Sequence, residues 1–284
     1  MAVRIVTDST ADIPQEKALA LGITVVPLTV FFGEEAYFDG VELDNAGFYR
    51  KLQATKVSPR TSQPAPSAFQ EAYMKLINEG ADAILSVHLS SKLSGTYQSA
   101  CNGRDSLPED IKKIPIDIVD SESVSVAMGV PIMQAAEEAR QGLGLEEVKA
   151  HLLDRFSRTR ILFVLDTLEY LKRGGRIGGA RALLGNMLNV KPILSIKNGM
   201  VVPVEQPRTR SKAYARIGQL IREVGKPERM FIVESDDEVG QQLAQTVKDM
   251  YAAEIPIYKL GAVVGTYAGP AAGGIAYVTP RERT

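Results

Sequence analysis

The chain has 284 residues, 45% of them apolar and 24% charged, and its 33 Lys and Arg against 34 Asp and Glu leave a net charge of −1. That composition excludes an intrinsically disordered chain, and the length suggests two domains with cores of useful size. A single cysteine, Cys101, excludes an intrachain disulfide framework and a Cys-based zinc site, and the opening residues lack a signal-peptide h-region, which predicts a cytoplasmic protein.

The first half alternates apolar strands with amphipathic helices. Val3 to Val6 reads as a strand, and Pro14 to Gly22 as a helix opened by capping residues and closed by glycine. Ile23 to Phe32, β-branched and aromatic, reads as one strand; 44–55 and Ser67 to Asn78 carry helical spacing. Ala83 to Leu89 and Ile116 to Val119 are apolar strands, followed by helices over Val124 to Arg140 and Leu145 to Phe156. Continuous apolar strands separated by helices predict a mainly parallel sheet covered on both faces, a three-layer α/β/α arrangement.

After Ile161 to Leu165, another strand, the texture changes. Lys191 to Ile196 and Met200 to Val204 flank Asn198-Gly199, the strongest short hairpin signal, so the sheet of the second half is predicted to be mixed. Helices over Ser211 to Val224 and Val239 to Tyr251 alternate with strands over Arg229 to Val233, Ile255 to Leu260 and Gly274 to Val278. The uncharged stretch Gly261 to Val278 holds five glycines and Pro270, so its first part reads as a glycine-rich loop between two strands and not as a membrane span. The expected domains are 1–157 and 158–284.

Charge shifts at the same boundary. From Arg155 to Arg222 there are 14 Lys and Arg against Asp166, Glu169 and Glu205. An excess of this kind reads either as a solvated surface or as a face for an acidic partner.

No Walker A sequence, dinucleotide-binding glycine fingerprint or Gly-x-Ser-x-Gly elbow is present, and His88 and His151 stand at no metal-ligand spacing. His151 reads as a surface residue and His88 as a satisfied core histidine. Three strands end in an acid followed by serine, at Asp8-Ser9, Asp120-Ser121 and Glu234-Ser235. Ser235 reads as a helix cap; the first two read equally as caps or as ligand positions at strand carboxyl ends. Two hydroxyl-rich segments enter helices: the polar loop Arg60-Thr61-Ser62-Gln63-Pro64, and the run from Leu89 through Ser94-Gly95-Thr96 to Ala100. Hydroxyls and unpaired N–H groups at a helix start suit an anion, and Gly95 permits close approach of the backbone to it; the plain alternative is that Ser94 caps its own first turn.

Thr61-Ser-Gln-Pro64, Ser90-Ser-Lys-Leu-Ser-Gly-Thr-Tyr-Gln-Ser-Ala100, Asp120-Ser121, Leu168-Glu-Tyr-Leu-Lys-Arg-Gly-Gly-Arg-Ile177 and Lys191-Pro-Ile-Leu194 resemble the DegV family of fatty-acid-binding proteins across essentially the whole chain. The resemblance implies a two-domain α/β bacterial protein that holds one long-chain fatty acid, such as a C16–C18 acid, between its domains, with no cofactor, no metal and no nucleic acid. In some members the acid is presented to a separate ATP-dependent fatty acid kinase that forms an acyl-phosphate. By position, Thr61 and Ser94 would hold the carboxylate, with the N–H groups of Gly95 and Thr96 nearby. Where the family often has a histidine in Gly-x-His-x-Gly-Pro-Gly, this chain has Tyr267, which donates a hydrogen bond but carries no positive charge. The basic stretch offers Lys172, Arg173, Arg176, Arg208 and Arg210 as a docking face for the kinase. No activated nucleophile is evident, so a binding protein is expected and not an enzyme. The alternative is a serine hydrolase or acyltransferase with Ser94 as nucleophile and His88 as base.

Overall fold

A computed structural model describes residues 2–109, 111–183, 190–250 and 254–281. The chain opens with β1 (Val3–Asp8), α1 (Gln15–Leu21) and β2 (Ile23–Val26), then β3 (Thr29–Phe32), β4 (Glu35–Phe38), α2 (Asn45–Ala54) and β5 (Arg60–Ser62). It continues with α3 (Pro66–Asn78), β6 (Ala83–His88), α4 (Thr96–Asp105), β7 (Ile116–Asp120), α5 (Val126–Arg140) and α6 (Leu145–Arg158). Strands β2, β1, β6 and β7 lie in that order, all parallel.

Period-2 alternation sets the two faces of this sheet. Ile5, Leu85 and Val87 join the cluster of α5 and α6, whereas Val6 and Ile84 pack beneath Phe69 and Tyr73 of α3 and Ala100 of α4. Gly22 closes α1 at φ +69, in the left-handed region where glycine carries no Cβ penalty.

The stretch predicted as one strand, Ile23 to Phe32, is two. It breaks at Pro27-Leu28, and β3 leaves to form a small antiparallel sheet of order β4-β3-β5. The expected polar loop at Arg60 is thereby a strand: Thr29, Val30 and Phe31 pair with Ser62, Thr61 and Arg60.

The second half holds β8 (Thr159–Val164), α7 (Glu169–Arg173), β9 (Ile193–Lys197), β10 (Met200–Glu205), α8 (Arg210–Val224), β11 (Arg229–Glu234), α9 (Asp237–Val247), β12 (Ile257–Lys259), α10 (Ala262–Ala268) and β13 (Gly273–Val278). Its six-stranded sheet runs β10-β9-β8-β13-β11-β12, with only the β11–β12 pair parallel. Asn198 and Gly199 turn the predicted hairpin at φ +50 and +74, the left-handed pair a two-residue turn requires. The predicted helix end at Tyr251 lies outside the described residues.

Leu162, Val164, Ile232 and Ile275 face α8 and α9, while Ile161, Leu165, Val233 and Ala276 turn the other way and join the core around α5. The glycine-rich loop expected from Gly261 is instead α10, a four-residue turn over 269–272, and β13. Ala262 and Val263 of α10 pack among Val30, Phe48 and Leu52 of the small sheet and α2. Among the described residues no helix is long and apolar enough to cross a membrane.

Candidate functional site

The four parallel strands point their carboxyl ends toward the inner face of the six-stranded sheet, and a cavity of about 330 Å³ lies between them. From the first sheet it is lined by residues just beyond strand ends: Thr10 after β1, Leu89, Leu93 and Ser94 after β6, and Val124 and Ser125 after β7. From the second it is lined by a strand face carrying Ile161, Phe163, Ile196, Val201 and Val233. Val263, Val264, Tyr267 and Ala268 of α10 and Thr61 of β5 close it.

Three of the expected carboxylate ligands therefore reach one cavity, and two are in direct contact. The hydroxyls of Thr61 and Tyr267 lie 2.6 Å apart. Ser94 Oγ lies 2.9 Å from Thr96 Oγ1 and accepts the Thr96 N–H at 3.3 Å. When Thr96 donates to Ser94 through both groups, the Ser94 hydrogen is free to donate to an anion. Gly95 and Thr96 themselves do not line the cavity. The space a Cβ would need at Gly95 is filled by the amide of Gln63, whose Oε1 lies 2.5 Å from that position. The glycine admits Gln63 and not the ligand, so its physical reason differs from the expected close approach of backbone to anion.

Arg176 was grouped with the docking residues by its place in the basic stretch. The fold also brings it into the cavity wall. Its guanidinium sits 4.9 Å from the centre of the Tyr267 ring, its Nε donates to Leu93 O at 3.0 Å, and Nη1 donates to Gly174 O at 2.6 Å. The Tyr267 ring also lies against Gly174, where an added Cβ would meet Cδ1 at 2.3 Å. Tyr267 thus packs against both Gly174 and the Arg176 guanidinium, and the positive charge it lacks is carried by that neighbour. The sequence signal for this role was the block Leu171-Lys-Arg-Gly-Gly-Arg176, in which two glycines set Arg176 apart from the exposed cations before it.

Two buried carboxyls of the first half hold α10. Asp12 accepts the Gly261 N–H at 3.0 Å and bonds Ser125 Oγ, and Asp39 accepts the Ala262 N–H at 3.3 Å. Burial pushes Asp12 well above the usual carboxylate range; burial likewise raises Asp39 to about 6, opposed by its bonds to Ser9 and to the α10 amides.

His88 is buried, as expected of a core histidine. Nδ1 lies 3.0 Å from Asp8 Oδ2 and Nε2 lies 2.8 Å from Ser86 Oγ. Its partners are thus Asp8 and Ser86, not Ser94, so the base proposed for a Ser94 nucleophile is engaged elsewhere. His151 is half-exposed on α6, beside Glu138. At the other strand ends, Asp8 caps the 3-10 turn Ser9–Ala11, and Asp120 accepts the N–H groups of Ser91 and Glu122. The cap assigned to Ser235 belongs to Asp236, which accepts from the Glu238 N–H; Ser235 instead exchanges hydrogen bonds with the backbone of Ala272.

Part of the charge excess is neutralised by acids. Lys191 and Arg210 share Asp166, Arg155 pairs with Glu138, Arg158 with Asp154 and Glu228, and Arg216 with Glu205 and Glu223. Lys172, Arg173 and Arg208 are exposed. Arg173 bonds Ser58 Oγ at 2.5 Å and lies 3.7 Å from Glu169. Among the described residues no group of three or more His, Cys, Asp or Glu is placed to hold a metal ion.

Comparison with known proteins places this geometry. A family model described as "Uncharacterised protein, DegV family" matches residues 2–280. A DegV domain-containing protein of Halalkalibacterium halodurans is 37% identical over 280 residues, covering 97% of this chain and 98% of its own. A DegV family protein from Thermus thermophilus, whose structure is described as one of fatty acid binding, is 35% identical with a TM-score of 0.90 over 99% of this chain and 100% of its own. A stearic acid-binding protein from Eubacterium ventriosum is 26% identical with a TM-score of 0.87 over 98% of both chains. With its two sheets facing one another across an apolar cavity and a family match along nearly its full length, the chain belongs to the DegV family.

Proposed function

We propose that this protein binds one long-chain fatty acid in the cavity, with Thr61 and Ser94 donating to the carboxylate, Tyr267 and Arg176 beside it, and the tail laid across the inner face of the second sheet. Residues 1–157 and 158–284 act as the two walls of the site, with α10 reaching across from the second. The observation that carries the reading is the distribution of polarity in one cavity. Thr61, Gln63, Ser94, Arg176 and Tyr267 form one neighbourhood, tied through the Thr61–Tyr267, Arg176–Tyr267 and Arg176–Leu93 contacts, while most of the remaining wall is aliphatic. Thr10 and Ser125 also line the wall, but their hydroxyls are directed to Asp8 and Asp12.

The energetics suit such a ligand. Burying some 14 methylenes contributes roughly 11 kcal/mol gross, of which ordering the chain and losing its overall freedom offset a large part. The carboxylate requires hydrogen bonds wherever water is excluded, and the hydroxyls and guanidinium meet that need. A head group held this way stays chemically intact. We infer that a separate fatty acid kinase receives it and forms an acyl-phosphate, docking on the exposed cations Lys172 and Arg173 of α7, two glycines before Arg176, and on Arg208; Arg210, held by Asp166, completes that basic face.

The test is titration calorimetry with palmitate, followed by incubation of the loaded protein with a fatty acid kinase and ATP. The proposal expects one palmitate per chain and acyl-phosphate formation that falls when Lys172 and Arg173 are both changed to Glu. Palmitate binding with no acyl-phosphate from any such kinase would retain the binding reading and remove the kinase.

A further inference from the structure

The first sheet changes direction between β1 and β6. From β1 the chain proceeds to β2 on one side, and the later strands β6 and β7 lie on the other. In an open parallel sheet the crevice beyond such a switch point is where ligands ordinarily bind, because the connections leave toward opposite faces and the strand ends lie bare. At that switch point lies Asp8, buried at the end of β1 and bonded to His88 and Leu89 at the end of β6.

All four acceptor positions of the Asp8 carboxylate are occupied. Oδ1 accepts the Thr10 N–H at 3.1 Å and the Thr10 hydroxyl at 2.5 Å. Oδ2 accepts the Leu89 N–H at 3.1 Å and the His88 ring at 3.0 Å. Because Asp8 only accepts, the network assigns the ring hydrogen to Nδ1. In the neutral ring Nε2 then accepts from Ser86 Oγ, which accepts in turn from the Tyr73 hydroxyl at 2.8 Å. Tyr73, Ser86 and His88 are buried with Asp8 on the α3 and α4 face, so this Asp-His-Ser array offers no route for a substrate.

Its reach is toward the cavity. Thr10 and Leu89 both line the cavity, and Leu89 begins the loop that ends in Ser94. Farther along, that loop is held by the Ser90 N–H on Ser123 O, the Ser91 N–H on Asp120, the Ser90 hydroxyl on Gly199 O and Arg176 on Leu93 O. Those contacts grip the loop from Ser90 onward, whereas Asp8 bonds its first residue, Leu89, where the chain leaves β6.

We propose that Asp8 is a positioning residue of the head-group site: bonded to Thr10 beyond its own strand and across the switch point to Leu89, it fixes the base of the loop that carries Ser94. The inference rests on the fatty-acid reading for its functional consequence, though not for its geometry.

A double-mutant cycle on the full chain, with palmitate as probe, tests it. Asp8→Asn alone lowers affinity about tenfold, because an amide cannot accept all four donors. In a Ser94→Ala background the same change costs about twofold or less, since the group being positioned is gone. A merely structural role gives the same fold-loss in both backgrounds, and that result, or no loss at all, overturns the proposal. Should Asp8→Asn fail to fold, His88→Leu and His88→Asn replace it. The leucine removes one donor to Asp8 and lowers affinity; the asparagine returns an N–H near the Nδ1 position and restores it to within about twofold of the native value. Equal affinities for the two variants contradict the account. If the native protein takes up no palmitate, the fatty-acid reading is what has failed. Hydrogen exchange at the Leu89 amide then decides the positioning role: faster exchange in Asp8→Asn or His88→Leu supports it, and unchanged exchange refutes it.

Discussion

The first sheet reaches the cavity with the ends of its strands, the second with one of its faces, and the two therefore bring different chemistry. Beyond a strand end the backbone leaves its ladder and polar groups bond otherwise: Thr10 and Ser125 turn their hydroxyls to Asp8 and Asp12, and Ser94 brings a hydroxyl to the cavity wall. Within a paired face the backbone groups are already bonded, so only side chains face the cavity, and Ile161, Phe163 and Val233 present hydrocarbon. A lipid with a charged head and an apolar tail matches that division. The small sheet and α10 complete it by adding Thr61 and Tyr267 to the polar side.

The largest test of this contrast introduces polarity where the face is apolar. Phe163→Asp places an unpaired carboxylate against the tail and is expected to abolish palmitate binding, a loss of more than about 100-fold by calorimetry. Equal affinity would show that the tail does not cross this face. On the polar side, Ser94→Ala and Thr61→Val each remove a donor to an anion and are expected to cost about 10- to 100-fold. Arg176→Gln is expected to cost about tenfold at low salt and less as ionic strength rises, because the lost contribution is partly electrostatic. A salt-independent loss would assign Arg176 to packing alone.

A fourth expectation concerns the join between the halves. The Asp39 carboxyl is raised to about 6 from 3.8, chiefly by burial. A raised acid is easier to bury neutral, so its contribution to stability is greatest below about pH 4, falls as pH rises through 4 to 6, and is constant above. The full difference is about 3 kcal/mol. Asp39→Asn should remove that decline. The measurement is the gap in unfolding free energy between native and variant protein from pH 4 to 7, and a gap that does not change with pH contradicts it. The smallest effect belongs to the periphery: Arg173→Glu is expected to leave palmitate affinity within about twofold.

The parts of this design visible in the sequence are those written in short-range signals. Asn198-Gly199 announced its hairpin, apolar runs announced β1, β6 and β7, and the hydroxyl loops announced Thr61 and Ser94. The small sheet was hidden because β5 has three residues and exists only through pairing with β3. Helix α10 was hidden because its glycines read as loop. At Gly265 an added Cβ would meet the Tyr49 hydroxyl at 2.6 Å, so that glycine permits helix packing and does not mark a turn. Arg176 looked like one more cation in a basic stretch. Its separate place depends on the Gly174 contact with Tyr267, a residue 93 positions away that no local pattern connects to it.

The most direct test of the central claim is native mass spectrometry of the purified protein, with extraction of whatever lipid it carries. The account predicts a mass excess of one C16–C18 fatty acid on the native chain and its loss, or near loss, in the Thr61→Val, Ser94→Ala double variant. A native chain that carries no fatty acid and takes up none when palmitate is added would contradict it, and so would full occupancy in the double variant.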